Sequence, residues 1–175
     1  QDITIAFPAN ILEIDLIKQL ADRVNLGLLV ESTETVHFLA KNLTAPVNIW
    51  LKVDVGYGRT GIPWLDYDKL VGLAEQVKET SPLSLQGLLT HSGHTYRARS
   101  KLEIETVYRD TVSKMKAAQE NLAMAGIEPV ALSIGDTPSC SVVADLSDVD
   151  EIRPGNFVFY DIMQHDLGSC QPDDI

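Results

Sequence analysis

The sequence predicts an α/β fold built on a parallel sheet. Short apolar runs alternate with helical periodicity from one end to the other. Polar, glycine-bearing segments each follow the C-terminal end of an apolar run, which is where α/β proteins keep their chemistry. No internal repeat and no low-complexity linker divides the chain, so residues 1–175 read as one domain without an internal boundary. Together these features give βα units in series, in a sheet either open or closed into a barrel.

In chain order, the predicted strands are Ile3–Phe7, Gly27–Val30, Val47–Val55, Leu85–Thr90, Val130–Ser133 and a brief one at Glu151–Ile152. Between them lie amphipathic stripes. Val36, Leu39, Ala40 and Leu43 keep the i, i+3, i+4, i+7 spacing of a helix face, and so do Leu70, Leu73, Ala74 and Val77. The longest stripe runs from about Leu102 to Ala125 through Ile104, Val107, Tyr108, Thr111 and Met115. Gly126 ends it, as a C-terminal glycine should.

Composition excludes several function classes. Fourteen basic residues against 25 acidic ones give a formal charge of −11, the wrong sign for a nucleic-acid surface. No apolar segment approaches the ~20 residues of a membrane span, and no charged-then-apolar leader opens the chain. Cys140 and Cys170 are too few for a disulfide framework, so a reducing, cytoplasmic setting is expected. Trp50 and Trp64 read as packing residues. His165 and Cys170 lack a third ligand nearby, so no metal site is expected.

The segment Ser133-Ile-Gly-Asp-Thr-Pro-Ser-Cys140 is readable as turn chemistry. Gly135 permits a tight strand-to-helix turn, Thr137 suits the N-cap and Pro138 the first helical position. The unpartnered amides at such a helix start attract an anion. Three further loops share its position after a strand: Asp54-Val-Gly-Tyr-Gly-Arg-Thr-Gly61, His91-Ser-Gly-His-Thr-Tyr96 and Arg153-Pro-Gly-Asn156. A dinucleotide site is disfavoured, because the glycine run at 56–61 leads into Ile-Pro-Trp rather than a helix.

These loops carry a resemblance. KVDVGYGRTGI (52–62), GLLTHSGHTY (87–96), SIGDTPS (133–139) and EIRPGNFVFYD (151–161), with DITIAFP (2–8), resemble the fold type III pyridoxal-phosphate enzymes in order and spacing. These are the alanine racemase-like barrels, and the match is to their D-threonine aldolase and D-serine dehydratase branch. The resemblance implies a (β/α)8 TIM-type barrel, present here as about strands three to eight. It places the Schiff-base lysine on an earlier strand and a C-terminal β-domain, with any divalent metal, beyond Ile175. The chain therefore resembles a partial barrel domain, from which activity on its own is not expected. Lys52 lies on a strand, but its motif position does not match the Schiff-base lysine.

The resemblance also implies roles. Gly135, Asp136, Thr137, Gly155 and Asn156 would clasp the cofactor phosphate with backbone groups, and Ser133 would donate to it or brace the loop. The Asp136 side chain is expected to turn away from the dianion. Arg59 would approach the phenolic oxygen, and His91 would lie against the ring or the imine, with His94 as a supporting or surface group. Tyr96 and Arg153 compete for the pyridine nitrogen. Tyr96 is expected to take it, with Arg153 turned to Asp54 or Glu151. The intact protein would then be a lyase of D-amino acids, aldolase or dehydratase in type, working as a homodimer on a small-molecule substrate. An amino-acid racemase and a non-catalytic cofactor-binding barrel remain the alternatives.

Overall fold

The computed structural model describes residues 1–175. Seven strands and six helices alternate: β1 (Asp2–Pro8), α1 (Ile14–Ala21), β2 (Asn25–Val30), α2 (Thr33–Asn42), β3 (Val47–Asp54), β4 (Ile62–Pro63), α3 (Tyr67–Glu79), β5 (Leu83–Thr90), α4 (Lys101–Met124), β6 (Ala131–Ile134), α5 (Thr137–Val142), β7 (Glu151–Ile152) and α6 (Ile162–Asp166). All pairings are parallel, in the order β1-β2-β3-β5-β6-β7, with β4 attached to β3. The sheet curls as an incomplete TIM-type barrel, and every predicted strand is present within a residue or two. The two-residue β4, where the 56–61 loop folds back against Val53 and Asp54, escaped the sequence reading. It is too short to show any period.

Period-2 alternation on the strands separates two apolar bodies. Val47, Ile49, Leu51 and Val53 of β3 face the helices and join Leu26, Leu28, Leu70, Leu73, Tyr108 and Met115 in the main core. Trp50 faces the other way and packs with Leu29 and Leu89 on the concave side of the sheet. The crossover helices cover one face, and the concave face is filled by side chains of the strands themselves. The predicted stripes of α2, α3 and α4 are the faces that pack inward, and Gly126 follows α4 with φ +76°.

The helix α1 was not foreseen, for a physical reason. Only Ile17 of this helix is buried, while Leu16 and the neighbouring Leu12 are 57% and 89% exposed. Ile14, Ile17, Leu20 and Ala21 do line the core, but the exposed Leu12 and Leu16 blur that stripe in the sequence. Phe7 near the β1 edge and Phe159 and Ile162 beyond β7 are likewise exposed. Those two edge strands pair on one side only. No helix is long and apolar enough to cross a membrane.

Candidate functional site

Strand register brings the candidate residues together. Lys52 pairs with Leu89, Leu89 with Ser133, and Ser133 with Glu151, so one level runs across β3, β5, β6 and β7. Two residues further along lie Asp54, the last residue of β3, and His91, Gly135 and Arg153, each just past its strand's end. Segments separated by up to a hundred residues thus open on one mouth.

The loop after β3 is shaped by Asp54 and three glycines. The Asp54 carboxylate accepts from the amides of Gly56 (2.9 Å) and Gly58 (3.1 Å). Gly56, Gly58 and Gly61 adopt φ of +115°, +74° and +112°, a region side chains resist. Arg59 rides on this loop, 5.5 Å from the centre of the Tyr57 ring, with no acidic partner. Tyr57 in turn lies edge-on to His91 at 5.7 Å and stacks near His94 at 6.4 Å. It presses against Gly93, where a Cβ would come within 2.5 Å of its ring.

His91 donates from Nδ1 to the Gly135 carbonyl oxygen at 2.7 Å. A carbonyl only accepts, so Nδ1 carries the hydrogen and Nε2 keeps its lone pair. Burial, with smaller contributions from Arg59, Lys52 and Arg153, pushes the imidazole down to about 4 despite the opposing Gly135 bond. The ring is therefore neutral at physiological pH. Tyr96 stands beside it at 6.2 Å.

Arg153 is tied down on several sides. Its Nε donates to Ser133 Oγ (2.7 Å), and Nη2 donates to the carbonyls of Thr90 (2.5 Å) and Ser133 (3.1 Å). Glu151 lies 3.5 Å from Nε and accepts from Ser133 Oγ at 2.5 Å. Of the two acids weighed for Arg153, the partner is therefore Glu151; Asp54 is engaged by the glycine loop. Ser133 serves this Arg153–Glu151 pair rather than standing free as a donor.

The turn after β6 differs from expectation in its cap. Asp136, not Thr137, is the N-cap: its Oδ1 accepts from the Ser139 amide at 2.8 Å, and Thr137 and Pro138 open the helix. Asp outcompetes Thr because a carboxylate is the stronger acceptor at a helix start. The Asp136 side chain is buried, and burial raises its carboxyl above the ordinary range. Thr137 Oγ accepts from the Asn156 amide at 3.0 Å, which joins this turn to the one after β7. That amide is thus already engaged, leaving the Thr137 hydroxyl hydrogen as the unspent donor. A Cβ on Gly135 would come within 2.6 Å of the Arg153 carbonyl oxygen, whereas one on Gly155 would meet nothing closer than 4.0 Å. Glycine at 135 is required by the crossing chain itself, and the space beside Gly155 is open.

Lys52, whose motif position does not match the Schiff-base lysine, has a burial that the sequence reading did not note. It is 4% exposed on the concave face, and burial together with Arg153 and Arg59 brings its amine down to about 7 against the pull of Asp54 and Glu31. Alternation along β3 placed it inward, and that was the available signal. Thr95, fully buried in the 93–97 turn, was missed too. A threonine in a polar loop carries no mark of a contact made 41 residues away.

Comparison with known proteins agrees with this architecture. D-serine dehydratase of Dictyostelium discoideum is 35% identical over 134 residues, 73% of this chain and 34% of that protein. D-threo-3-hydroxyaspartate dehydratase of Delftia sp. is 25% identical over 154 residues, 86% of this chain and 40% of that one. The solved structure of the Delftia protein superposes with a TM-score of 0.90 over 99% of this chain and 46% of its own, at 24% identity. D-threonine aldolase from Filomicrobium marinum gives 0.87 over 100% of this chain and 48% of its own, at 19% identity. The chain therefore spans less than half the length of these relatives. The family model described as alanine racemase, N-terminal domain, matches residues 4–162, and the chain belongs to that family.

Proposed function

We propose that the protein carrying this chain is a pyridoxal 5′-phosphate-dependent lyase acting on D-amino acids with a β-hydroxyl group. The observation that carries this reading is the convergence of the β6 and β7 turns, joined through Thr137 and Asn156, beside the unpaired Arg59 and the neutral His91. Two curated relatives are named as D-amino-acid dehydratases, and a third, 24% identical over 149 residues, as D-threonine aldolase.

The residues present fit such a cofactor. Thr137 has an unspent hydroxyl donor, the side of Gly155 is open to an approaching anion, and Arg59 lacks an anionic partner. Gly135, Asp136 and Thr137 would hold the phosphate through the turn, and Arg59 would face the phenolic oxygen. Pyridoxal phosphate supplies the electron sink for a bond broken at Cα. Tyr96 would sit at the ring nitrogen through its hydroxyl. Arg153 would stay with Glu151, so that no carboxylate protonates that nitrogen. His91 would offer the Nε2 lone pair to a proton at the reacting end.

A divalent metal, bound by residues outside this chain, would polarise the substrate's β-hydroxyl. One matching structure is a point mutant of D-threo-3-hydroxyaspartate dehydratase in the metal-free form, which supports a metal in that relative. A homodimer and a reducing, cytoplasmic setting complete the reading; both cysteines are free thiols. The test is to incubate the full-length, cofactor-loaded protein with D-threonine and D-serine and analyse the products. Glycine with an aldehyde, or ammonia with a 2-oxo acid, supports a lyase. Formation of the L-enantiomer alone would make it a racemase, and no turnover would leave a binding barrel.

A further inference from the structure

We propose that Thr95 is a positioning residue: held against the Asp136 carboxylate, its hydroxyl locks the turn that carries Tyr96 to the turn after β6. The two ends of the ligand site would then move as one body. This inference rests on the pyridoxal-phosphate reading only for the ligand, since the contact itself belongs to the chain.

Thr95 is fully buried, and its Oγ lies 2.9 Å from Asp136 Oδ1 and 3.0 Å from the Ser92 carbonyl oxygen. One hydroxyl hydrogen is shared between two acceptors, so the residue ties its own turn closed and anchors it to the turn after β6 at once. Backbone bonds from the Thr95 amide to the Ser92 carbonyl and from the Ala98 amide to the Thr95 carbonyl shape the 93–97 turn. Tyr57 packs on Gly93 and His94, but only Thr95 hydrogen-bonds from this turn to the one after β6. Ser92 makes no side-chain cap, because its hydroxyl is spent on Thr111 of α4 at 3.1 Å. Asp136 is a rigid anchor, since the same Oδ1 also accepts from the Ser139 amide and caps α5.

Its Oδ2 is buried without a partner, so one oxygen bears both contacts. Burial raises the Asp136 carboxyl, and the Thr95 bond is among the contacts that oppose this. A second tie runs parallel, from His91 Nδ1 to the Gly135 carbonyl. The phenol of Tyr96, the neighbour of Thr95, makes no hydrogen bond, so its place beside His91 depends on the turn beneath it and on ring packing.

A double-mutant cycle on the full-length apo protein tests this, with the pyridoxal 5′-phosphate dissociation constant as the readout. Thr95→Val and Tyr96→Phe should each weaken binding by about five- to tenfold, the scale of one hydrogen bond. The double variant should be no weaker than the weaker single one, and Thr95→Ser, which keeps the hydroxyl, should restore wild-type binding. Multiplying effects would overturn the proposal, because Thr95 would then act without Tyr96. A second measurement needs no cofactor: hydrogen exchange of the wild-type protein with and without inorganic phosphate. Phosphate held at 135–137 should also slow exchange at 93–98; protection confined to 135–139 overturns the coupling. A wild-type protein that ignores both ligands fails the functional reading instead, and exchange of Thr95→Val then decides. Faster exchange in both turns supports the lock, and faster exchange in 93–98 alone contradicts it.

Discussion

His91 Nδ1 and the Gly135 carbonyl oxygen, 2.7 Å apart, join the mouth of β5 to the mouth of β6. This contact dictates the tautomer of the histidine, and burial dictates its charge. In an unfolded chain the imidazole would titrate near its ordinary value of about 6.5, and in the fold it titrates near 4. Between those values the unfolded state binds more protons, so this group's contribution to stability is present above the upper value and is lost as pH falls through the window. Nitrogen NMR of His91 should show a neutral ring protonated at Nδ1 down to about pH 5. A midpoint near 6.5 would remove the burial argument.

The glycines of the two anion-facing turns should behave differently on substitution. Gly135→Ala drives a methyl into the Arg153 backbone, so the turn must shift and the fold should lose about 1–3 kcal/mol. Gly155→Ala meets nothing closer than 4.0 Å and should leave the melting temperature nearly unchanged while weakening phosphate binding. Thermal denaturation and pyridoxal-phosphate titration of the two variants separate these effects. Equal destabilisation by both would contradict the assigned geometry.

Asp136→Ala removes the N-cap of α5 and the Thr95 contact together. A cap alone contributes about 1 kcal/mol, and losing the Thr95 bond to a buried carboxylate adds a similar amount, although the hydroxyl keeps the Ser92 carbonyl. Chemical denaturation should show a loss of about 2 kcal/mol, and Asp136→Asn, which still caps well, should recover most of it. An alanine variant as stable as wild type would show that the carboxylate holds nothing.

Arg59 makes no ion pair and lies over Tyr57 on an exposed loop. Arg59→Gln should therefore change stability by less than about 0.5 kcal/mol. The bound cofactor should nevertheless change its absorbance, because a positive charge would be lost from its phenolic oxygen. An unchanged spectrum with unchanged affinity would exclude Arg59 from the site.

The fold was largely legible, because parallel strands buried on both faces write themselves as apolar runs, as Gly27–Val30 and Val47–Asp54 do. The clustering of His91, Gly135 and Arg153 was legible too, since each follows a strand end and register does the rest. The cap was misassigned because Asp136 and Thr137 are adjacent and both are good caps, and only the path of the chain past Ser139 chooses between them. The engaged Asn156 amide and the Thr95 anchor were invisible for a related reason. Both are contacts between loops, and no local pattern encodes which hydroxyl reaches which acceptor.

Amide chemical shifts of the full-length protein, titrated with pyridoxal 5′-phosphate and separately with pyridoxal, probe the proposed anion grip most directly. The amides of Gly135, Thr137 and Gly155 should move with the phosphorylated compound and stay still with the other. Equal shifts from both compounds, or silence at these three positions, would contradict the assignment of these turns as the phosphate site.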